Sequence, residues 1–129
     1  MLQDYRFLPV RTAAILTGSY VAGTVIGTQA VQPALENQLI VCLDFTIGSL
    51  TSCEVKVEFS DDDSDYYQET FSNISSGTDS LSLGIHQMTA TGKYTIAIPA
   101  KYRFIKVSAK GTGTTTNSSL AINAIIGTV

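Results

Sequence analysis

The sequence predicts an all-β protein: a single-domain antiparallel β-sandwich, jelly-roll-like, with about eight strands. In several separate segments apolar residues recur at every second position, which turns one row of each strand toward a core and the other toward water. Turn-forming residues separate these segments at intervals of roughly 8–15 residues, as in sandwiches and jelly rolls. Thr and Ser, 16 and 13 of the 129 residues, suit strands and turns better than helices.

The N-terminal part predicts an arm followed by the first two strands. Residues 10–16 and 20–26 are rich in β-branched and small apolar residues, and Thr17-Gly18-Ser19 supplies a turn between them. We therefore expect residues 1–9 to form an arm and residues 10–129 to form the sandwich. The apolar residues of the arm are its predicted partner contacts, and these are Leu2, Tyr5, Phe7 and Leu8.

The centre of the chain predicts a β-hairpin. One alternating row runs from Leu39 to Ile47 and a second from Cys53 to Phe59, with residues 48–52 between them as a tight turn. If these strands pair, their apolar side chains share one buried sheet face. The predicted core residues of this hairpin are Val41, Phe45, Val57 and Phe59.

The second half of the chain predicts four further strands. Residues 32–37 are a connection with one possible helical turn, residues 61–65 turn the chain into Tyr66 and Tyr67, and residues 72–80 are expected to be a loop. Pro99 ends its strand because proline cannot donate to a ladder. The inward rows of these four strands are Leu81, Leu83 and Ile85; Tyr94, Ile96 and Ile98; Ile105, Val107 and Ala109; and Leu120, Ile122, Ala124 and Ile126.

The two cysteines can be tested against the predicted hairpin. If Ile47 pairs with Cys53, then Cys42 pairs with Glu58, and the cysteines lie roughly 17 Å apart at 3.3 Å per residue. A disulfide needs Cα atoms within about 7 Å. Both are therefore expected to be free thiols, which suits a protein made in the cytoplasm.

Charge and length narrow the class of protein. With 129 residues, a formal net charge of −3 and no basic cluster, the chain suits one domain that does not bind nucleic acid. No apolar run reaches the length of a membrane span. Only 15% of the residues are charged, and this low share predicts that a partner covers part of the outer surface.

The sequence offers few candidates for chemistry. Asp61, Asp63 and Asp65 have calcium-loop spacing, but Tyr66 replaces the required glycine and Ser72 the required glutamate, so the segment is not an EF-hand. A solvated turn is expected, with a looser calcium site at these three residues as the alternative, and no metal or cofactor is predicted. His86, the only histidine, has no catalytic motif around it and is predicted on the outward phase of its strand. Exposed tyrosines are a candidate glycan platform, with Tyr66, Tyr67 and Tyr102 as the binding residues.

A family resemblance is carried by six segments, which are residues 13–16, 19–26, 37–41, 44–52, 55–60 with the acidic turn, and 102–107 before the last strand. Together they resemble the small structural proteins encoded in the virion gene clusters of tailed bacteriophages, and the resemblance covers most of the chain. The acidic turn with its aromatics, and the strand at 102–105, are also similar to discoidin-like sugar-binding sandwiches. The chain departs from those by its short length and its lack of Trp.

The first resemblance implies a non-enzymatic virion protein, made in the host cytoplasm and most simply a capsid decoration or cement protein. Its partners would be the major capsid protein or another virion protein, and further copies of itself in a homotrimer. The alternatives are a tail- or neck-associated virion protein and a glycan-binding adhesion module. An enzyme is the least favoured reading, because no catalytic constellation stands out in the sequence.

Overall fold

The computed structural model describes residues 5–28, 38–99 and 102–127, and within them it is an antiparallel β-sandwich, as predicted. The jelly-roll connectivity stays a prediction, and the connection at residues 32–37 lies outside the described residues. The strands are β1 (Tyr5–Ala14), β2 (Val21–Ala22), β3 (Ile26–Gly27), β4 (Gln38–Thr46), β5 (Leu50–Ser60), β6 (Tyr67–Gln68), β7 (Thr70–Ser75), β8 (Thr78–Leu83), β9 (Ile85–Met88), β10 (Gly92–Pro99), β11 (Phe104–Gly113) and β12 (Ser119–Gly127).

The strands form two main sheets and a separate hairpin. Sheet A has the order β1-β12-β4-β10. In sheet B, β11 and β5 are central; β2 and β3 pair with β11, and β6 and β9 pair with β5. β7 and β8 pair only with each other. One hydrophobic core lies between the sheets, and the inward rows predicted for the strands at 105–109 and 120–126 are buried in it.

The predicted hairpin between residues 39 and 59 is wrong, although its burial pattern is largely right. β4 belongs to sheet A and pairs with β10 and β12, while β5 belongs to sheet B and pairs with β11. Val41, Phe45 and Val57 are buried, but they face one another from opposite sheets. Phe59 is half-buried and packs at the edge of the core. Alternating apolar residues are buried in the core both when two strands pair within one sheet and when they face each other from opposite sheets, so the burial pattern could be right while the pairing was wrong.

The connection between β4 and β5 crosses from one sheet to the other at Gly48. Its φ of 57° is left-handed, and a Cβ there would lie 2.5 Å from the backbone carbonyl carbon and oxygen of Asn117. Ser49 N donates to Thr116 O at 3.0 Å, so the crossing is fixed against the loop before β12. Glycine is required here both for the conformation and for the close approach.

The N-terminal segment is part of the sandwich from Tyr5 onward. β1 pairs with β12 from Tyr5↔Gly127 to Ala14↔Leu120, so the predicted boundary after Pro9 falls inside a strand. The predicted second strand at 20–26 consists of the two short strands β2 and β3. Leu2 and the rest of residues 1–4 lie outside the described residues.

Candidate functional site

The acidic turn after β5 is organised by Asp62. Its Oδ1 accepts hydrogen bonds from Ser60 Oγ, Ser64 N and Asp65 N, each at 2.9 Å. These hydrogen bonds, with those to the backbone first, lower the pKa of the Asp62 carboxyl below its ordinary value. Asp63 takes the left-handed conformation at φ 57°, which Asp tolerates better than most residues. The hydrogen bonds that hold this turn are therefore made by Asp62, which is not one of the three calcium candidates Asp61, Asp63 and Asp65.

The three calcium candidates are not gathered around one point. Within the described ranges, no group of three or more His, Cys, Asp or Glu side chains could hold a metal ion. The Asp63 carboxylate instead accepts a short hydrogen bond from the Tyr66 hydroxyl. The geometry thus gives the calcium hypothesis no support.

A groove of about 310 Å³ lies beside this turn and joins two sets of predicted residues. It is lined by Asp61, Asp62, Asp65, Tyr67 and Tyr102. The Tyr102 ring is stacked on Phe59, with centroids 4.9 Å apart and planes at 27°, so it is held in place. Carboxylates accept hydrogen bonds from hydroxyl groups, and tyrosine faces stack on sugar rings. The groove is the described site whose chemistry best suits a polyhydroxylated ligand.

Tyr66, the third glycan candidate, is not among the residues that line the groove. Lys106 Nζ lies 3.8 Å from the centroid of its ring, in a cation–π contact. Burial, followed by the hydrogen bond to Asp63, raises the pKa of Tyr66 to about 12. Tyr66 therefore covers Lys106 on the outer face of sheet B.

The apolar patch on the outer face of sheet A is the first exposed apolar surface. We use this name for Tyr5, Phe7, Ile40 and Ile125, which come from three adjacent strands and line a hollow of about 350 Å³. Phe7 pairs with Ile125 and Ile125 with Ile40, so these three side chains form a row across the sheet. Tyr5 and Phe7 are 60% and 64% exposed and pack edge-to-face.

The patch changes the meaning of the predicted arm residues. Tyr5 and Phe7 are exposed as a partner contact requires, but they stand on a sheet instead of a free arm. Leu8 has the opposite phase and packs against the core. Tyr5 and Phe7 therefore remain candidates for binding a partner, and Leu8 serves the fold.

The hairpin, residues 70–83, carries the second exposed apolar surface, which Ile74, Leu81 and Leu83 form among polar residues. All twelve residues of its two strands are exposed. Its turn, Ser76-Gly77, has φ values of 51° and 79°, the positive pair that tight two-residue hairpin turns need. Here the sequence predictions were wrong: residues 72–80 are not a loop, and Leu81 and Leu83 do not face the core. The Ser-Gly dipeptide between alternating rows was the signal that could have revealed the hairpin.

His86 forms a part-buried pair with a carboxylate. It lies opposite the buried Val55, so its phase is inward and the predicted outward phase is wrong. Its Nε2 lies 2.9 Å from Glu69 Oε1, and Glu69 N donates to Val57 O at 3.0 Å. The pair joins Glu69, which precedes the hairpin, to His86 on β9, which follows it, and so links the two ends of the hairpin beside sheet B.

Both cysteines are free, as predicted, but for a different reason. Cys42 stands on the outer side of sheet A and Cys53 on the inner side of sheet B, so the register used to separate them does not exist. Cys53 is buried, which raises the pKa of its thiol to about 11.

No helix among the described residues is long and apolar enough to cross a membrane.

Comparison with known proteins does not assign this chain to a family. No protein-family model matches the chain, and no curated protein matches its sequence. The groove, the patch and the exposed hairpin are the features of the described residues that bear on function.

Proposed function

We propose that this protein is a non-enzymatic structural protein of a tailed-phage virion. It decorates the capsid shell as a cyclic homo-oligomer, most simply of three chains, and stabilises the shell by protein–protein contacts. Its partners are the major capsid protein, or another virion protein, and further copies of itself.

One observation carries this proposal: a single small chain exposes two separate apolar surfaces, the patch and the hairpin. Scattered exposed apolar residues are ordinary, whereas contiguous groups mark contact sites. Neither the patch nor the hairpin contains Lys, Arg or Glu, and Asp79 is the only acidic residue in either. These surfaces suit contact with protein and offer nothing to a phosphate backbone.

Co-sedimentation with purified shells that lack this protein tests the proposal. We expect saturable binding at a stoichiometry that matches a symmetry axis of the shell. A protein of similar size and charge without the two surfaces is the control. Binding no greater than that of the control would contradict the proposal.

A second candidate function, glycan binding, is favoured by the groove. Tyr67 is 69% exposed, and the stacked Tyr102 presents a fixed edge beside three carboxylates. This is a shallow, polar platform of the kind that sugars use. On this hypothesis the protein attaches a particle to a glycosylated surface.

A glycan array separates the two candidates. If the groove binds glycans, Tyr102→Ala and Tyr67→Ala should each lose binding, since each removes an aromatic side chain that lines the groove. Tyr66→Phe is the matched control because Tyr66 does not line the groove. An array with no hits for the wild type would remove this candidate.

A further inference from the structure

The hairpin projects from the sandwich. β7 and β8 pair only with each other, and none of the buried core residues of the described chain lies on them. Hydrogen bonds tie the hairpin down at its base, where Glu69 N donates to Val57 O at 3.0 Å and Gly84 N donates to Glu69 O at 2.7 Å. Since all twelve residues of the two strands are exposed, both faces of the hairpin are open to solvent.

Apolar side chains lie on both faces of the hairpin. Residues directly opposite in an antiparallel pair share a face, so Ile74, Leu81 and Leu83 lie on one face and Phe71 on the other. These four side chains are exposed by 76%, 68%, 61% and 52%, respectively. The remaining strand positions hold Ser, Thr and Asn, with Asp79 opposite Ile74. A partner that covered one face alone would leave an apolar side chain of the other face in water.

Cross-strand hydrogen bonds hold the hairpin in shape on both faces. Asn73 Nδ2 donates to Ser82 Oγ at 3.0 Å on the face of Phe71. Ser72 Oγ donates to Asp79 Oδ2 at 3.4 Å on the other face. An isolated two-stranded hairpin is only marginally stable in water, so cover by a partner stabilises it further. A segment that already has its bound shape also loses less entropy on binding.

The dimensions of the hairpin indicate how it can be bound. With six residues in each strand, it is a body of roughly 20 × 10 × 10 Å, and each of its four long sides measures roughly 200 Å². A stable interface buries about 800 Å² on each partner. One face supplies roughly a quarter of that area, whereas the four long sides together reach it. A site that binds the hairpin by itself must therefore enclose it.

Three hollows of the sandwich are too small to enclose such a body. They hold about 310 Å³ beside the acidic turn, 340 Å³ over β4 and β10, and 350 Å³ at the patch. The hairpin occupies roughly 2,000 Å³ by the dimensions above. Hollows of a few hundred Å³ suit a small ligand. This difference points to another protein as the partner, and not to a second copy of this chain.

The charge of the hairpin sets a second condition on the partner. Asp79 is the only charged residue in the hairpin, and it lies close to the tip at Ser76-Gly77. A carboxylate that is enclosed without a counter-charge is strongly unfavourable. A lysine or arginine in the enclosing cleft would pair with it. The other hairpin residues carry no charge, so the rest of the cleft needs none.

Resting on the proposed function as a decoration protein, we propose that the hairpin is an anchor that inserts into a cleft of the shell protein, with both of its faces covered. The cleft is uncharged apart from one lysine or arginine, which pairs with Asp79.

Co-sedimentation of face-specific variants with shells tests the insertion. Phe71→Ser and Leu81→Ser remove apolar side chains from opposite faces, so each should weaken binding about tenfold or more. Ile15→Ser is the matched control, since Ile15 is 53% exposed and lies outside the hairpin, and it should bind like the wild type. Because all three residues are exposed, each variant should melt close to wild type. A Phe71→Ser variant that binds as tightly as the wild type would overturn the insertion, because only one face would then be covered.

Two substitutions of Asp79 test the paired cation. Asp79→Asn would leave that cation unpaired in the cleft, so binding should weaken about tenfold. Asp79→Lys should abolish binding, because two like charges would meet. Binding that becomes tighter in Asp79→Asn would show that no cation faces this residue and would overturn the pairing.

Hydrogen exchange measures the enclosure without any variant. On shells, the amides of residues 70–83 should exchange about tenfold or more slowly than in the free protein, since enclosure removes them from water. Equal protection in the free protein would show that a second copy covers the hairpin, and it would overturn the choice of partner.

Failure of the insertion differs from failure of the proposed function. If the wild type binds shells no better than an unrelated protein, both the decoration and the shell as the partner of the hairpin are refuted. If the wild type saturates the shells and Phe71→Ser and Leu81→Ser bind equally well, the insertion alone is refuted.

Discussion

The outer face of sheet B and the apolar patch on sheet A differ sharply in the side chains that they expose. On sheet B, Lys110 pairs with Glu54 at 3.2 Å and Lys56 with Glu58 at 3.7 Å. Lys56 and Lys110 also lie over the ring of Tyr20, at 4.6 and 5.0 Å from its centroid. On sheet A, the corresponding positions of β1, β4 and β12 carry Tyr5, Phe7, Ile40 and Ile125.

This difference shows that the outer face of sheet B is the better suited of the two to permanent contact with solvent. The charges of sheet B satisfy one another beneath aromatic rings, which suits a permanently solvated surface. The apolar patch of sheet A has no such cover. Both faces belong to strands with equally well-buried inner rows, so packing of the core does not account for the contrast. It is the contrast expected if the patch contacts a partner, as proposed.

The largest effect, loss of soluble folding, is expected for substitutions in the core that lies between the two sheets. Val57→Asp and Val41→Asp should each prevent soluble folding, because an unpaired buried charge costs several kcal/mol. Thr95→Asp, on the exposed side of β10, is the control and should remain soluble. Expression and circular dichroism measure the outcome. A folded Val57→Asp protein would show that sheet B is wrongly placed.

Charge on the two outer faces should act unequally. Ile40→Lys, in the patch, should leave a folded protein but abolish self-association, since a lysine would have to be desolvated there. Lys110→Glu on sheet B breaks the pair with Glu54 and should change self-association little. Sedimentation velocity compares the two. Equal loss in both variants would remove the distinction between the faces.

Truncation sharpens the role of β1. Deleting residues 1–9 removes the pairs from Tyr5↔Gly127 to Pro9↔Asn123, so stability should fall by a few kcal/mol at roughly 1 kcal/mol per lost hydrogen bond. The double variant Tyr5→Ser/Phe7→Ser keeps the ladder and should melt closer to wild type. Urea denaturation measures both. A truncated protein of wild-type stability would mean that this half of β1 contributes nothing to sheet A.

Thiol labelling should report on both faces. Cys42, half-exposed on sheet A, should react quickly at neutral pH, and Cys53 should react only after unfolding, because burial raises its pKa to about 11. Cys42→Ser should remove the fast phase, while Cys53→Ser should keep it. Two fast thiols in the folded protein would contradict the burial of Cys53.

The smallest effect is expected in the acidic turn. Because folding lowers the pKa of Asp62, its contribution to stability is present above pH 3.8 and is lost as the pH falls through the lowered value. Asp62→Ala should therefore lower the melting temperature slightly at pH 7 and make little difference in stronger acid. Asp61→Ala is the control, since Asp61 makes none of these hydrogen bonds. A pH-independent difference would assign the effect to something other than the carboxylate.

The sequence could predict which residues lie in the core, but not how the strands pair. The rows of β4, β5, β11 and β12 were evident from alternation. Alternation cannot distinguish Val57 beside Val41 from Val57 facing it, and the crossing at Gly48 depends on its contact with Asn117 far along the chain. The prediction that Leu81 and Leu83 face the core was wrong for a related reason. A period of two indicates a strand with one apolar face, but it does not show whether another part of the protein covers that face.

The candidate site was predicted only in part. Tyr67 and Tyr102 were named from composition and do line one groove with Asp61 and Asp65. Tyr66 and Tyr67 are neighbours in the chain, so their side chains point to opposite sides and only one of them can face the groove. The sequence alone did not show which of the two it is. Ile40 and Ile125 were missed as partners of Phe7, because their proximity depends on the pairing of β1, β12 and β4.

The pairing of β1 with β12 also has a consequence for the way the protein forms. Tyr5 meets Gly127 and Gly127 meets Gln38, so sheet A cannot close until nearly all of the described chain has been synthesised. Loop closure over such separations must precede the gain from packing, which makes folding slow compared with that of helical domains. Until then the rows of β4 and β1 remain uncovered in the nascent chain. We expect refolding on the millisecond-to-second scale, with aggregation competing at high concentration.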